Sequence, residues 1–361
     1  MKFLYIAAEH VSGTLALFRE EHRRRGDECR FVTFWHSRWD FPDDICLNLP
    51  FMPDRSWVRG LRDSLRALRP SELQPSHEMP YWRPGNVERS LFALRDSFIW
   101  PRIERAIHKF DLNSFDVIQL DGGLDFTRDA RFARQAIRRG KHVACFYHGS
   151  DLRTRGIIPA VDEIAELRLT SEWDLLDFDS RLRYLYLPFD TSAYPEREYR
   201  FHHPVRICHA SRNPHKGTSF VEAAVAELKK RYEVELIMLR DLSHDEALRH
   251  KYECDIFVDQ LTNAGGWGYG MSSVEALAMG MPVVTNIPEN MMKRLGENPF
   301  VHAATDDLSE VLEELLNSET MCGNLAKVGR QWVCERHDVR AVGDQLYSFY
   351  QELGWIAPNR P

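Results

Sequence analysis

Short apolar runs alternate with helical stretches twice along this chain, and the second series starts afresh near residue 204. In the first series "KFLYIAA" reads as a strand, "TLALFREEHRRRG" as a helix closed by Gly26, and "CRFVTF" as a second strand. Strand, helix and strand in that order make a parallel sheet, because parallel neighbours need a crossover connection. "FDVIQL", "DARFARQAIRRG", "HVACFY" and "RLRYLYLP" continue it, while residues 36–90 are irregular and rich in Pro and Trp. "FDTSAYPEREYRFHHP" reads as a linker. The alternation then resumes with "VRICHAS", "TSFVEAAVAELKKRY", "VELIML", "HDEALRHKYEC", "DIFVDQ", "SSVEALAMG" and "PVVTNI". These patterns predict an α/β chain of two Rossmann-like domains facing a cleft. Residues 1–190 form the first and 191–338 the second, and a helix over 339–361 is expected to return to the first. Doubly wound sheets of this kind take ligands at the carboxyl ends of their strands.

Several function classes drop out. No apolar run approaches the roughly 18 residues of a membrane span. The opening "MKFLYIAAEH" has too few apolar residues for a secretory signal and reads as a buried strand. Seven cysteines without a CxxC give neither a disulfide framework nor a zinc pattern, and suit a reducing cytoplasm. Residues 1–150 carry a net charge of +4 and the remainder −11. That excess is too weak for a nucleic-acid footprint but suits an anionic acceptor or a membrane surface. "WVRGLRDSLRALR" (57–69) sets Val58, Leu61, Leu65 and Leu68 on one side and arginines elsewhere. Such a basic amphipathic helix either touches a membrane or lipid-diphosphate acceptor, or packs on its own domain.

"GGWGYGMSSVEALAMG" (265–280) places four glycines in six residues before a helix with a single acid, Glu275. It follows a strand ending at Gln260, where a doubly wound sheet binds ligands. Glycine lets the backbone approach a ligand, and a helix start offers unpaired amides and partial positive charge to phosphate. Glu275 is expected in the first turn, on the ligand side, accepting hydrogen bonds from ribose hydroxyls. A plain loop before a helix whose first-turn acid offsets the macrodipole accounts for the same letters.

"GYGMSSVEALAMGMPVV" resembles the donor-site signature of the family-4 retaining glycosyltransferases, which have the GT-B fold. "HASRNPHKGT" (209–218) resembles the family's first donor-domain strand and turn, with Lys216 at the diphosphate-binding lysine. "YHGSDLR" (147–153) resembles the N-terminal segment facing the cleft, and "DQL" (259–261) a subgroup carrying those residues before the glycines. The likeness is strong over 204–290, weaker over 115–190, and rests on the opening strand and loop in 1–110. One departure stands out. The family often has two glutamates with seven residues between them; Glu275 matches the second, and Trp267 occupies the place of the first.

The resemblance implies a cytoplasmic, metal-independent hexosyltransferase working on a nucleoside-diphosphate sugar of UDP or GDP type, with no further cofactor. His148, Lys216 and Arg212 are the expected catalytic groups, the two cations meeting the leaving diphosphate. Gly13, Lys216, Gly217, Gly268, Tyr269, Gly270, Met271, Ser272, Ser273 and Glu275 would contact the nucleotide. Asp151, Trp267 and Asp259 would lie toward the sugars. The implied partners are that donor and a glycan, lipid-linked or other glycoconjugate acceptor, with peripheral contact at the inner face of the membrane and no nucleic acid. Polysaccharide or glycoconjugate synthesis is the implied role. A sugar-nucleotide epimerase of the same fold, or a non-catalytic sugar-nucleotide binder suggested by Trp267, stands as the alternative. "DFD" (177–179) imitates a metal motif of another glycosyltransferase fold but reads as a solvated face. The histidines at 202, 203, 209 and 215 lack a metal-ligand spacing.

Overall fold

A computed structural model of the chain describes residues 1–52, 81–149, 151–196, 198–211, 216–262 and 268–357. The basic stretch 57–69 lies outside the described residues. The chain divides into two compact units, Met1–Leu185 together with Leu346–Pro361, and Tyr186–Gln345.

The first unit is built on β1 (Lys2–Ala7), β2 (Glu28–Thr33), β3 (Ile45–Cys46), β4 (Val117–Asp121), β5 (His142–Tyr147), β6 (Leu167–Thr170) and β7 (Leu182–Tyr184). Their spatial order is β3-β2-β1-β4-β5-β6-β7 and every neighbouring pair is parallel. The direction of winding reverses between β1 and β4, so the loops after those two strands diverge there. Helix α1 (Thr14–Arg24) buries Leu15 and Phe18. Leu4, Ile6, Ile118 and Leu120 share a core with Ile99, Ile103 and Ile107 of α2 (Asn86–Lys109), and with Phe132 and Ala133 of α3 (Arg131–Arg138).

Helix α2 is absent from the expectations drawn on sequence. Pro101 sits inside it, and its apolar residues occur on two sides: Ile99, Ile103 and Ile107 are buried, whereas Val87, Leu91, Leu94 and Phe98 are exposed. No single apolar stripe announces it.

A buried polar relay explains why Leu346–Pro361 belongs to the first unit. The Tyr347 hydroxyl donates to Asp27 Oδ2 (2.7 Å) and accepts from His22 Nδ1 (2.8 Å). The Tyr5 hydroxyl donates to His22 Nε2 (2.9 Å). Burial lowers the His22 pKa to about 3, so the ring is neutral and can hold both contacts.

The second unit contains β8 (Val205–Ala210), β9 (Val234–Leu239), β10 (Ile256–Val258), β11 (Val283–Thr285) and β12 (Val301–His302), all parallel, in the order β12-β11-β10-β8-β9. Its reversal falls between β8 and β10. Helix α4 (Thr218–Leu228) follows β8 and packs Val221, Val225 and Leu228 onto Ile207 and Val258. Helices α5 (His244–Tyr252) and α6 (Met271–Ala278) precede and follow β10. Among the described residues no helix is long and apolar enough to cross a membrane.

Candidate functional site

The reversal between β8 and β10 is where a doubly wound sheet opens a ligand crevice, because the loops leaving the two strands turn to opposite faces. The loop after β8 ends in Lys216 and Gly217. Gly217 caps α4 with φ 83°, a left-handed conformation that glycine takes without strain. The loop after β10 begins with Asp259. It is described again from Gly268, also left-handed at φ 81°, whose would-be Cβ stands 2.3 Å from Met291 Sδ. Gly270, extended, then starts α6, and nothing lies within 4 Å of where its Cβ would point. Two helix starts, α4 and α6, thus flank one point, each with first-turn amides outside its own ladder.

Backbone bonds fasten these loops. Leu261 N–H donates to Lys216 O (3.1 Å) and Asn286 N–H to Gln260 O (2.8 Å). The Thr285 hydroxyl stands 3.1 Å from Gln260 O and 3.3 Å from Gly268 O. His209 Nδ1 donates to Val258 O (2.8 Å), which leaves Nε2 to accept from the Thr218 hydroxyl (3.0 Å). Burial keeps that imidazole's pKa below its ordinary value, as the neutral tautomer requires.

Inside this frame Lys216 Nζ donates to Asp259 Oδ1 (2.6 Å), and the Ser273 hydroxyl donates to Asp259 Oδ2 (2.6 Å). Burial works against the Asp259 carboxylate, but the Lys216 ammonium outweighs it and holds the pKa below the usual range. The Lys216 side chain is 23% exposed and that of Asp259 1%, so the cation has one buried anchor and one accessible side. An ammonium so fixed, between two helix starts, can meet a diphosphate without reorganising.

Glu275 is placed differently from expectation. It is the fifth residue of α6, which has no acid in its first turn, and it is buried. Gly270 remains extended and the helix already begins at Met271, one residue ahead of the expected Ser272, which carries Glu275 past the first turn. The Glu275 Oε2 atom accepts from the buried Lys251 Nζ, and Oε1 lies 3.2 Å from His244 Nε2. Lys251 also donates to Ser272 O (3.2 Å). Burial opposes the charged form of Glu275, and Lys251 and His244 together pull its pKa below the usual carboxylate range. The partners Lys251 and His244 went unnoticed in the sequence, because a lysine in the last turn of a helix and a histidine at its start both read as solvated.

Tyr269 turns its ring against Phe300 (4.7 Å between centroids), and its hydroxyl donates to His337 Nε2 (3.1 Å), so only its backbone is available to a nucleotide. Met271 and Ser272 are half-buried and Ser273 is buried. Arg212 and Trp267 lie outside the described residues.

In the first unit Gly13 caps α1 with φ 70°, and Phe41 lies 3.3 Å from where its Cβ would be. His148 directly follows β5, with Nε2 donating to Asp121 Oδ1 (2.9 Å) at the end of β4. Asp151 Oδ2 accepts the His148 backbone N–H (3.3 Å). Burial disfavours the imidazolium, but the Asp121 charge overrides it and raises the His148 pKa to about 9. His148 is therefore a cationic donor at neutral pH. Burial raises the pKa of Asp151.

The sign of this shift gives an expected result. The folded pKa lies above the ordinary 6.5, so the stabilisation is complete below pH 6.5 and is lost as pH rises through about 9. Asp121→Asn removes the compensating charge, and an NMR titration should then find the imidazole at 6.5 or lower. A value still near 9 in that variant would assign the shift to another group.

Asp179, His202 and His209, from the stretches that imitate metal motifs, each have local partners. Asp179 of "DFD" accepts from Arg181 Nε at 3.0 and 2.9 Å. His202 Nδ1 pairs with Asp255 (2.8 Å), and His209 is committed as above. A depression beside Gly280, at the far end of α6, is lined by Tyr199, Arg200, Glu319 and Arg330. Two of its cations are engaged, Arg200 with Glu198 and Glu319, and Arg330 with Ala278 O.

No protein-family model and no curated protein matches the chain in sequence. Solved structures do match its fold. Anabaena Alr3699/HepE, in complex with UDP and glucose, is 13% identical over 98% of this chain and 100% of its own, with a TM-score of 0.57. The trehalose-6-phosphate synthase OtsA is 10% identical over 99% and 100%, with a TM-score of 0.60. A trehalose-6-phosphate protein from E. coli, bound with UDP-2-fluoro glucose, is 10% identical over 99% and 100%, with a TM-score of 0.58. The chain therefore has the α/β fold of the GT-B glycosyltransferases over nearly its whole length.

Proposed function

We propose that the chain is a glycosyltransferase that moves a hexose, with retention, from a UDP- or GDP-type sugar to a glycan, lipid-linked or other glycoconjugate acceptor. The observation that carries the proposal is the Lys216–Asp259–Ser273 network at the reversal of the second sheet, between two glycine-led helix starts. Solved structures of the same fold hold UDP with glucose, UDP-glucose and UDP-2-fluoro glucose, which favours this ligand class.

In this account the amides at Gly217, Gly270, Met271 and Ser272 receive the diphosphate, and Lys216 faces the charge that grows on it as the glycosidic bond breaks. Glu275, held through Oε2 by Lys251, offers Oε1 to the ribose beside His244. The Asp259 side chain, expected toward the sugars, is instead buried with both oxygens held by Lys216 and Ser273, so it positions Lys216 at the donor end. The acceptor belongs to the first unit, where His148 serves as a cationic donor, and Gly13 and Asp151 shape the surrounding turns. The leaving diphosphate is stabilised by protein cations and amides, so the transfer needs no metal.

NMR of UDP- and GDP-hexoses with the chain, with and without an acceptor panel, tests this. Nucleoside diphosphate should be released only when an acceptor is added, and the product anomer should match the donor. Acceptor-independent epimerisation would instead make the chain an epimerase of the same fold. Binding without turnover across the panel would make it a non-catalytic binder.

A further inference from the structure

Three unlike ligands of the β2–β3 connection meet at the carboxyl edge of the first sheet. His36 lies in the loop after β2, Asp43 later in the same loop, and Cys46 at the end of β3. One nitrogen, one oxygen and one sulfur, one from each residue, all lie within 4.8 Å of one another. We propose that His36, Asp43 and Cys46 form a binding site for a zinc-class divalent ion.

Ligands on one tetrahedral zinc stand about 3.3–3.8 Å apart, given bonds of roughly 2.0–2.3 Å. The cluster needs only small movements to reach that spacing. His36 Nδ1 now meets Asp43 Oδ2 at 2.7 Å, and this contact opens by about an ångström to admit the ion. The Thr33 hydroxyl donates to Asp43 Oδ1 (2.8 Å), leaving Oδ2 to face the site, as an outer partner of a metal-bound carboxylate does. The neighbouring Asp44 is committed to Arg30 Nε (2.7 Å) and the Phe31 amide (3.1 Å), so it does not compete.

The donor set selects the ion. A thiolate with an imidazole and one carboxylate suits zinc, whereas magnesium, calcium and manganese favour oxygen alone. Three protein ligands leave a fourth position for water or a solute. The ion would also fix the loop that shapes the Gly13 turn. Phe41 of that loop leans on Gly13, the Ser37 hydroxyl donates to His10 O (2.7 Å), and Arg38 forks onto Glu9. The transfer chemistry proposed for the second unit asks nothing of this ion, so the two proposals stand or fall separately.

The test uses the full chain with Zn²⁺, Co²⁺ or Mg²⁺ alone. Calorimetry should find one Zn²⁺ per chain and no Mg²⁺ uptake. The Co²⁺ form should show a sulfur-to-cobalt charge-transfer band that disappears in Cys46→Ser. Thr33→Val should weaken zinc binding about 10- to 100-fold, and His36→Ala by more. His36 is exposed, so its removal should leave the metal-free melting curve at the parent position, which separates lost binding from lost folding. No stoichiometric zinc uptake, a cobalt band that survives Cys46→Ser, or parent-like zinc affinity in His36→Ala would each overturn the proposal. His36 and Asp43 would then be an ordinary surface pair.

Discussion

Lys251→Met is expected to lower the unfolding free energy by about 3–5 kcal/mol, the cost of removing one partner of a buried ion pair. The Lys251 side chain is 2% exposed and that of Glu275 9%, and their charged atoms are in direct contact. Methionine keeps most of the stem but leaves Glu275 facing only His244. A buried carboxylate without its counter-charge is strongly disfavoured. Urea unfolding of the parent, Lys251→Met and Lys251→Met/Glu275→Gln measures the effect. The double variant should recover much of the loss, because neither group is then a buried unpaired ion. The acid limit should move as well. Glu275 has a depressed folded pKa, so its contribution is present above the ordinary 4.5 and is lost as pH falls through the folded value. Without Lys251 that loss begins at higher pH. Parent-like unfolding of Lys251→Met would mean that Glu275 is held by other groups.

Lys216→Met is expected to lower kcat about 10²–10³-fold, equivalent to roughly 2.7–4 kcal/mol of transition-state stabilisation. The leaving diphosphate gains charge as the bond to the sugar breaks, so a fixed cation beside it acts more on the transition state than on the bound donor. A second consequence has to be separated from this one. Removing Lys216 leaves the buried Asp259 side chain, among the described residues, with the Ser273 hydroxyl as its donor, which destabilises the loop itself. Lys216→Met/Asp259→Asn removes the stranded charge. If the lysine only props up Asp259, the double variant regains turnover. If it meets the diphosphate, the double variant folds like the parent and stays slow. Steady-state rates and melting curves on the four proteins of this cycle distinguish the two.

The two-fold alternation, the restart near residue 204 and the parallel sheets were legible because apolar periodicity and glycine punctuation are local signals. Helix α2 was not, since Pro101 and its exposed Val87, Leu91, Leu94 and Phe98 blur the period. The turns holding Lys216, Gly217, Gly268 and Gly270 were found from their place between strand and helix. The turn of α6 that holds Glu275 was misplaced, because the helix already takes in Met271 ahead of the two serines, and helix ends are poorly marked in sequence. Long-range pairing was illegible in principle. Lys251 reaches Glu275 across 24 positions, Asp121 reaches His148 across 27, and Lys216 reaches Asp259 across 43. Each depends on the strand order that brings two loops together, and no local pattern encodes that order.

In the proposed function a nucleoside diphosphate sits on the amides and the ammonium at the β8–β10 reversal. Calorimetric titration of UDP and of GDP into the parent and into Lys216→Met/Asp259→Asn addresses it most directly. The expected result is saturable binding of one of the two nucleotides at one per chain, with affinity reduced about tenfold or more in the double variant, a loss of roughly 1.4 kcal/mol. Failure of both nucleotides to bind the parent, or equal affinity in the folded double variant, would contradict it.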